Sequence, residues 1–120
     1  MIYNKRQVGK EKEQLAGAYL EKNGYEIIEY NFHCRQGEID IIAKDEEYLV
    51  FCEVKYRSGK TSGTPFEAVD YKKQKTISRC AHFYIAKNNW QYLPCRFDVV
   101  GITDEEITLL KNAFDYAGPM

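Results

Sequence analysis

The sequence predicts a mixed α/β fold in the order helix, three strands, helix, strand, with helices flanking a mixed sheet. Two segments carry apolar residues at helical spacing, and short runs rich in β-branched and aromatic residues lie between and after them. The last of these strands follows a long helix, so it should pair in parallel with an earlier strand after a crossover. At 120 residues, the chain fits one domain spanning residues 1–120.

The first helix is predicted over residues 6–23, because apolar residues recur at helical spacing and Gly24 suits a helix end. Glu13 lies on or beside this apolar stripe. One interpretation is that its stem packs while its carboxylate reaches water. The other is that the helix packs on neighbouring strands and directs Glu13 toward acids there. A strand over residues 25–32 follows.

Residues 37–55 form two apolar runs around a charged break, which is typical of an antiparallel hairpin. Side chains alternate along each strand, so Ile39 and Ile41 should share the buried face. Asp40 and Glu53 then meet on the opposite face, with Lys55 beside them. This group lies at the open end of the hairpin, away from the turn.

Folding alone does not explain these charges, because facing like charges destabilise a sheet and a carboxylate near a core needs a partner or a metal. Asp40 and Glu53 are suitable ligands for Mg²⁺ or Mn²⁺. The carbonyl of Val54 is a candidate third ligand, and Glu13 is a candidate fourth. Lys55 is placed to orient a water or to stabilise negative charge on phosphorus. The group therefore predicts a metal site suited to phosphodiester hydrolysis.

A polar loop over residues 56–64 follows the hairpin, and its cations Arg57 and Lys60 are candidate phosphate contacts, as is Arg35 in the preceding turn. Residues 64–67 resemble a helix start, and the helical pattern continues to residue 88 with a break near residue 70. Lys73 and Gln74, on the first turns, are either ordinary helix surface or neighbours of the site.

The C-terminal part of the chain is predicted to contain a strand over residues 96–102 and a short strand over residues 106–110, followed by a polar tail from Lys111. Asp98, in the first of these strands, is a possible further ligand. An edge position or an ion pair with Arg96 is the competing interpretation.

Composition excludes several classes of protein. The net charge of −1 gives no global field for nucleic acid, although basic clusters flank the charged hairpin. No apolar run approaches the ~20 residues of a membrane span and no signal core follows the N-terminus, so we expect a cytoplasmic protein without membrane contact. The four cysteines form no Cys-x-x-Cys pair, and disulfides are not expected in that compartment. A Gly-rich phosphate loop, a serine nucleophile elbow and a His-rich metal motif are absent from the sequence.

One acid followed after a gap by a Glu-Val-Lys tripeptide resembles the motif of the PD-(D/E)XK nuclease superfamily. These residues are Asp40 and then Glu53, Val54 and Lys55. More narrowly, the chain resembles the YraN-like bacterial family, which is similar to archaeal Holliday-junction resolvases. Ile39 stands where the superfamily name has proline, a position that contributes no ligand. Matching segments span nearly the whole chain: residues 9–13, 16, 31, 37–42, 51–57, 73–74 and 96–100.

The resemblance implies a restriction-endonuclease-like αβββαβ core and a Mg²⁺- or Mn²⁺-dependent endonuclease that acts on DNA, including branched or structured DNA. It gives Asp40 and Glu53 the role of metal ligands, Lys55 that of the catalytic lysine and Glu13 that of the first-helix acid. Lys73 or Gln74 corresponds to an auxiliary position. A homodimer is also implied. The alternative is a nucleic-acid-binding module of the same fold without cleavage.

Overall fold

The computed structural model describes residues 5–57, 69–104 and 106–117. It contains two helices and five strands in this part of the chain. In chain order they are α1 (Lys5–Lys22), β1 (Glu26–Cys34), β2 (Gly37–Asp45), β3 (Tyr48–Tyr56), α2 (Tyr71–Asn88), β4 (Cys95–Ile102) and β5 (Ile107–Phe114).

The strands form one five-stranded sheet in the order β1-β2-β3-β4-β5. β3 and β4 are parallel, and the other neighbours are antiparallel. The chain passes through α2 between β3 and β4, as a parallel connection requires. The predicted mixed α/β fold is confirmed, and the sheet with its two helices is compatible with a restriction-endonuclease-like core.

Both faces of the sheet are covered, which explains why β3 is buried from Leu49 to Glu53 without alternation. The α1 face is filled by Ala16, Leu20, Tyr25, Ile41, Ala43, Val50, Cys52, Val100 and Ile102. The α2 face is filled by Phe32, Ile39, Ile42, Leu49, Phe51, Ile77, Cys80, Ala81, Tyr84 and Phe97.

Several predicted boundaries differ from those of the structure. β1 continues to Cys34, which leaves a two-residue turn before β2. α2 begins at Tyr71 because the Asp70 side chain accepts a hydrogen bond from the Lys73 N–H and caps the helix. The helix start predicted at residues 64–67 lies outside the described residues. The predicted polar tail from Lys111 is wrong, since β5 extends to Phe114 and pairs with β4.

The alternation of side chains is broken near Asn31 in β1 and between Ile39 and Ile41 in β2. Tyr30 lies against α1, whereas Phe32, two residues on, packs on the α2 face. Between them Asn31 has a φ of 54°, in the left-handed region. Ile39 pairs with Phe32 and follows it onto the α2 face. The prediction that Ile39 shares a face with Ile41 is therefore wrong.

Asp98 lies in an interior strand and is 0% exposed, so the predicted edge position is wrong. The predicted ion pair with Arg96 is confirmed, because the Arg96 Nε and terminal nitrogen each donate to the carboxylate at 2.9 Å. The Tyr25 hydroxyl donates at 2.7 Å and the Asn112 N–H at 2.9 Å. Arg96 also pairs with Asp45 at 2.7 Å. In this network both carboxylate oxygens of Asp98 accept hydrogen bonds, and the contacts connect β4 with β2 and β5.

Within the residues that the structure describes, neither helix combines the length and the apolar character of a membrane span.

Candidate functional site

The regular pairing of β2 with β3 ends at Ile41 and Cys52. Beyond that pair the Asp40 carboxylate accepts a hydrogen bond of 2.8 Å from the Val54 N–H. In a regular strand the N–H and C=O of one residue point to the same side, so the Val54 carbonyl is also directed toward β2. The side chain of Asp40 is thus inserted where backbone pairing would otherwise continue.

Glu53 is the second acid at this position and is only 6% exposed. It points toward α2, where the Lys73 Nζ lies 3.4 Å from the Glu53 Oε2. That oxygen is buried and has no hydrogen-bond partner. The Lys73 contact is therefore an ion pair without hydrogen-bond geometry. Glu53 thus keeps one buried oxygen available for a ligand.

Asp40 and Glu53 interact directly, and the pKa of Asp40 reflects this. That pKa is raised from 3.8 to about 8, first by burial and then by the hydrogen bond and negative charge of Glu53. The Val54 N–H and the Lys73 charge oppose the shift without cancelling it. Near neutral pH, Asp40 therefore holds a proton beside Glu53 unless a cation replaces it.

Glu13 extends from α1 toward Asp40 and Glu38. Its pKa is raised from 4.5 to about 7, first by burial and then by the charges of Asp40 and Glu38, while His33 opposes the shift. The structure therefore brings Glu13 into the electrostatic environment of Asp40. The interpretation in which the carboxylate only reaches water does not account for this shift.

A groove of about 940 Å³ opens beside Glu13 between α1 and the β1–β2 hairpin. Its lining carries both signs of charge, and His33 lies 3.5 Å from Glu38 across the hairpin. The described residues that line it are Gly9, Lys10, Glu13, Gln14, Tyr30, Asn31, His33 and Glu38. Except for Glu13, sequence reasoning did not connect these residues into one feature. A two-residue turn after Cys34 is the signal that would have placed His33 opposite Glu38.

The two lysines of the site have different surroundings. Lys55 follows Glu53 by two residues, so it is on the α2 side of β3, and it is partly exposed. Among the ion pairs of the described residues none includes Lys55, whereas Lys73 pairs with Glu53. The cation that contacts the acids in this structure is therefore supplied by α2.

The remaining candidates for nucleic-acid contact are dispersed. Arg35 is exposed in the β1–β2 turn and Arg57 is exposed just after β3, both at the end of the sheet that holds Asp40 and Glu53. Gln74 is partly buried and donates to the Val69 carbonyl at 3.1 Å. Lys60 lies outside the described residues.

The described residues include no group of three or more His, Cys, Asp or Glu side chains arranged around a common metal position. Two carboxylates are nevertheless sufficient for Mg²⁺, which usually keeps several waters and completes its shell with substrate oxygens. The buried Glu53 oxygen that accepts no hydrogen bond and the raised pKa of Asp40 fit such an ion. We therefore regard Asp40 and Glu53 as the residues able to hold a divalent cation.

Comparison with known proteins places the chain in a family. Residues 12–102 match the sequence profile of the uncharacterised protein family UPF0102. The chain belongs to this family. The matched region contains Glu13, Asp40, Glu53, Lys55 and Lys73, and it confirms the identification as YraN-like.

UPF0102 relatives match along nearly their whole length. The UPF0102 protein of Lachnoclostridium phytofermentans is 48% identical over 116 residues, covering 96% of this chain and 98% of the relative. That of Caldanaerobacter subterraneus is 44% identical over 118 residues, covering 92% and 97%. A UPF0102 protein of Legionella pneumophila strain Corby is 46% identical over 110 residues, covering 89% and 93%. These names assign no activity, so function is argued from the site.

Proposed function

We propose that this UPF0102 protein is a cytoplasmic, metal-dependent nuclease that hydrolyses DNA phosphodiester bonds, with branched or structured DNA among its substrates. Asp40 and Glu53 hold Mg²⁺ or Mn²⁺, the Val54 carbonyl is a third ligand, and Glu13 supports the site from α1. The resemblance to resolvases favours a homodimer that acts on two strands.

The observation that carries the proposal is the contrast between two buried acids. The carboxylate of Asp98 is fully buried and accepts hydrogen bonds from three residues, so its role is structural. Glu53 is almost as buried, yet its Oε2 has no hydrogen-bond donor. A buried polar atom that accepts no hydrogen bond destabilises a fold, so its presence in a native protein needs an explanation beyond the Lys73 ion pair at 3.4 Å. A cation shared with Asp40 supplies one.

The chemistry follows from the residues around the two acids. A divalent cation held there lowers the pKa of a bound water and neutralises charge on a phosphate. Lys55 orients the attacking water or stabilises the negative charge that develops on the phosphoryl oxygens. Lys73 is drawn to Glu53 in this structure, and it contributes a second positive charge beside the substrate. Arg35 and Arg57, at the same end of the sheet, contact the nucleic-acid backbone.

Calorimetric titration with Mn²⁺ tests the metal site first. We expect the wild type to bind Mn²⁺ and both Asp40→Ala and Glu53→Gln to lose most of that affinity. Glu47→Gln is the matched control, because Glu47 is an exposed acid in the turn at the opposite end of β3. Equal affinity in wild type and Asp40→Ala would contradict the proposed ligands.

Cleavage assays on duplex, single-stranded, flapped and branched DNA, each with Mg²⁺ and with Mn²⁺, test the activity. We expect wild type to cleave at least one substrate. Asp40→Ala should lose cleavage while keeping or improving DNA binding, because a negative charge has been removed. Lys55→Ala should lose cleavage and keep Mn²⁺ binding, which would separate its role from that of a ligand.

The Lys73–Glu53 ion pair favours a second candidate function, a nucleic-acid-binding module in which the acids pair with a lysine and no cleavage occurs. That module would bind DNA equally well with and without Mn²⁺ and would leave every substrate intact. A wild-type protein that cleaves none of the four DNA forms with either metal would favour the module over the nuclease.

A further inference from the structure

Two free cysteines from different elements meet on the α2 face of the sheet. The Sγ atoms of Cys34, at the end of β1, and Cys80, in α2, are 3.2 Å apart. The backbone packs equally closely here, since a Cβ on Gly37 would lie 2.6 Å from the Thr76 Cγ2 and 3.5 Å from the Cys80 Sγ. The two thiols are therefore in direct contact.

The two thiols differ in access to solvent. Cys34 is partly exposed, whereas Cys80 is 0% exposed. Burial and the hydrogen bond with Cys34 raise the pKa of Cys80 to about 12. Cys80 therefore remains a protonated thiol, and its sulfur accepts the hydrogen bond that the Cys34 thiol donates. Oxidation by a small molecule should begin at the more accessible sulfur, which is Cys34.

We propose that Cys34 and Cys80 form a reversible disulfide when the protein meets a peroxide, which makes the pair a redox modification site. The inference is independent of the nuclease proposal. Sulfur atoms in a disulfide are about 2.05 Å apart, so the two sulfurs must approach by roughly 1.2 Å to form the bridge. Reversible, redox-sensing bridges of this kind are the type found in reducing compartments.

The chemistry balances in two steps. The Cys34 thiolate attacks one peroxide oxygen, the O–O bond breaks, and the departing hydroxide takes up a proton as water, which leaves a sulfenic acid. The Cys80 sulfur then attacks the Cys34 sulfur, the S–O bond breaks, and the second hydroxide leaves as water with the Cys80 proton. Two thiols lose two electrons in total, and one peroxide is reduced to two waters.

The bridge would tie the first strand to the second helix. Cys80 and Lys73 lie two helical turns apart on the same side of α2, and the Lys73 charge reaches Cys80. Oxidation therefore fixes the helix that holds Lys73 against Glu53. The bridge also closes the chain between residues 34 and 80, so it should raise Tm by about 5–15 °C through restriction of the unfolded chain.

Treatment of the full-length protein with a small molar excess of hydrogen peroxide, followed by alkylation and peptide mapping, tests the inference. We expect a peptide pair linked through Cys34 and Cys80, which dithiothreitol separates, and a higher Tm that falls again on reduction. Cys95 is the internal control, because it is exposed and has no thiol neighbour among the described residues. It should stay out of the linked pair.

Variants give the second readout. Cys80→Ser removes the resolving thiol, so Cys34 should accumulate as a sulfenic acid that dimedone traps, whereas Cys95→Ser should form the bridge as wild type does. Peptide mapping of the wild type needs no variant, so it tests the proposed disulfide even if Cys80→Ser does not fold. Oxidation of Cys34 or Cys95 to sulfinic or sulfonic acid in the wild type, without a linked Cys34–Cys80 pair, would overturn the inference.

Discussion

The Asp40 carboxylate accepts the hydrogen bond that the Val54 N–H would otherwise donate to a paired strand. A side chain therefore substitutes for backbone pairing at the point where β2 and β3 separate. The bond holds Asp40 beside Glu53 although the two acids repel each other when both are charged. The position of the site is thus fixed by the backbone of β3.

This arrangement predicts that Asp40→Asn stabilises the metal-free protein at alkaline pH. The pKa of Asp40 is about 8 in the folded state, against 3.8 normally, so the folded state binds its proton more tightly than the unfolded state does. Stability contributed by that proton is therefore lost as pH rises from about 4 to about 8. Asparagine is neutral throughout and can still accept from Val54. Urea unfolding at about pH 8 should show a gain of roughly 1–3 kcal/mol, which shrinks toward about pH 5.

Asp45→Asn is the matched control. Arg96 holds the pKa of Asp45 below its usual range, so that carboxylate stabilises the fold when charged, and this stability is lost as pH falls through the lowered pKa. The control variant should therefore be destabilised at about pH 8. Destabilisation of both variants at that pH would show that Asp40 is not held near a like charge.

Lys73→Met should change metal affinity and stability in opposite directions. The Lys73 ammonium neutralises Glu53 and competes with a metal for it. Its removal should tighten Mn²⁺ binding by about two- to tenfold and lower the metal-free free energy of unfolding by roughly 1–2 kcal/mol. Calorimetric titration and urea unfolding measure the two effects.

Lys75→Met is the control for that variant, because the Lys75 ammonium lies over the Tyr71 ring, 5.6 Å from its centroid. It should leave Mn²⁺ affinity unchanged. Weaker Mn²⁺ binding in Lys73→Met would mean that Lys73 helps to assemble the metal site and does not compete with it.

Arg96→Ala should destabilise the protein by about 3–5 kcal/mol, because Asp98 is 0% exposed and would keep a buried charge without its main partner. Lys111→Ala removes another cation from the same network, but the Lys111 side chain is 52% exposed and lies 3.3 Å from Asp45. Its cost should stay below about 1 kcal/mol. Similar losses in chemical denaturation of both variants would contradict the structural role of the Arg96–Asp98 pair.

Two glycines of α1 provide a matched pair of substitutions. A Cβ on Gly17 would collide with the ring and hydroxyl of Tyr30, whereas a Cβ on Gly9 would meet nothing within 4 Å. Gly9→Ala should therefore stabilise the helix by up to about 1 kcal/mol. Gly17→Ala should destabilise the protein by roughly 1–3 kcal/mol. Thermal unfolding tests the contact with a double variant that carries both Gly17→Ala and Tyr30→Ala. Its loss of stability should be smaller than the sum of the losses in the two single variants.

The sequence was sufficient to predict the meeting of Asp40 and Glu53, because a period of two and a short hairpin determine which side chains face each other. It failed one residue away, at Ile39, since the left-handed backbone of Asn31 in the neighbouring strand was not visible in the hydrophobic pattern. Alternation therefore predicts a face only where the backbone remains regular.

Contacts that depend on how the helices pack on the sheet could not be predicted from the hydrophobic pattern of the sequence. Lys73 had two open interpretations in the sequence, and only the docking of α2 on β3 distinguishes the one that contacts Glu53. The contact of Cys34 with Cys80 likewise joins elements whose relative position no local rule supplies. The C-terminal part of β5 was missed because the polar residues Lys111 and Asn112 suggested a tail, while its pairing with β4 comes from the rest of the sheet.

The connectivity of the β2–β3 hairpin also bears on the order of folding. Its two-residue turn closes a short loop and joins Asp40 to Val54, 14 residues away, whereas β4 reaches β3 only across the much longer segment that contains α2. Short loops close at a lower entropic cost, so the hairpin should form first. The two acids then face each other before Lys73 arrives on α2. We therefore expect their repulsion to contribute to the folding barrier, so that acidic pH or Mn²⁺ accelerates refolding in stopped-flow measurements.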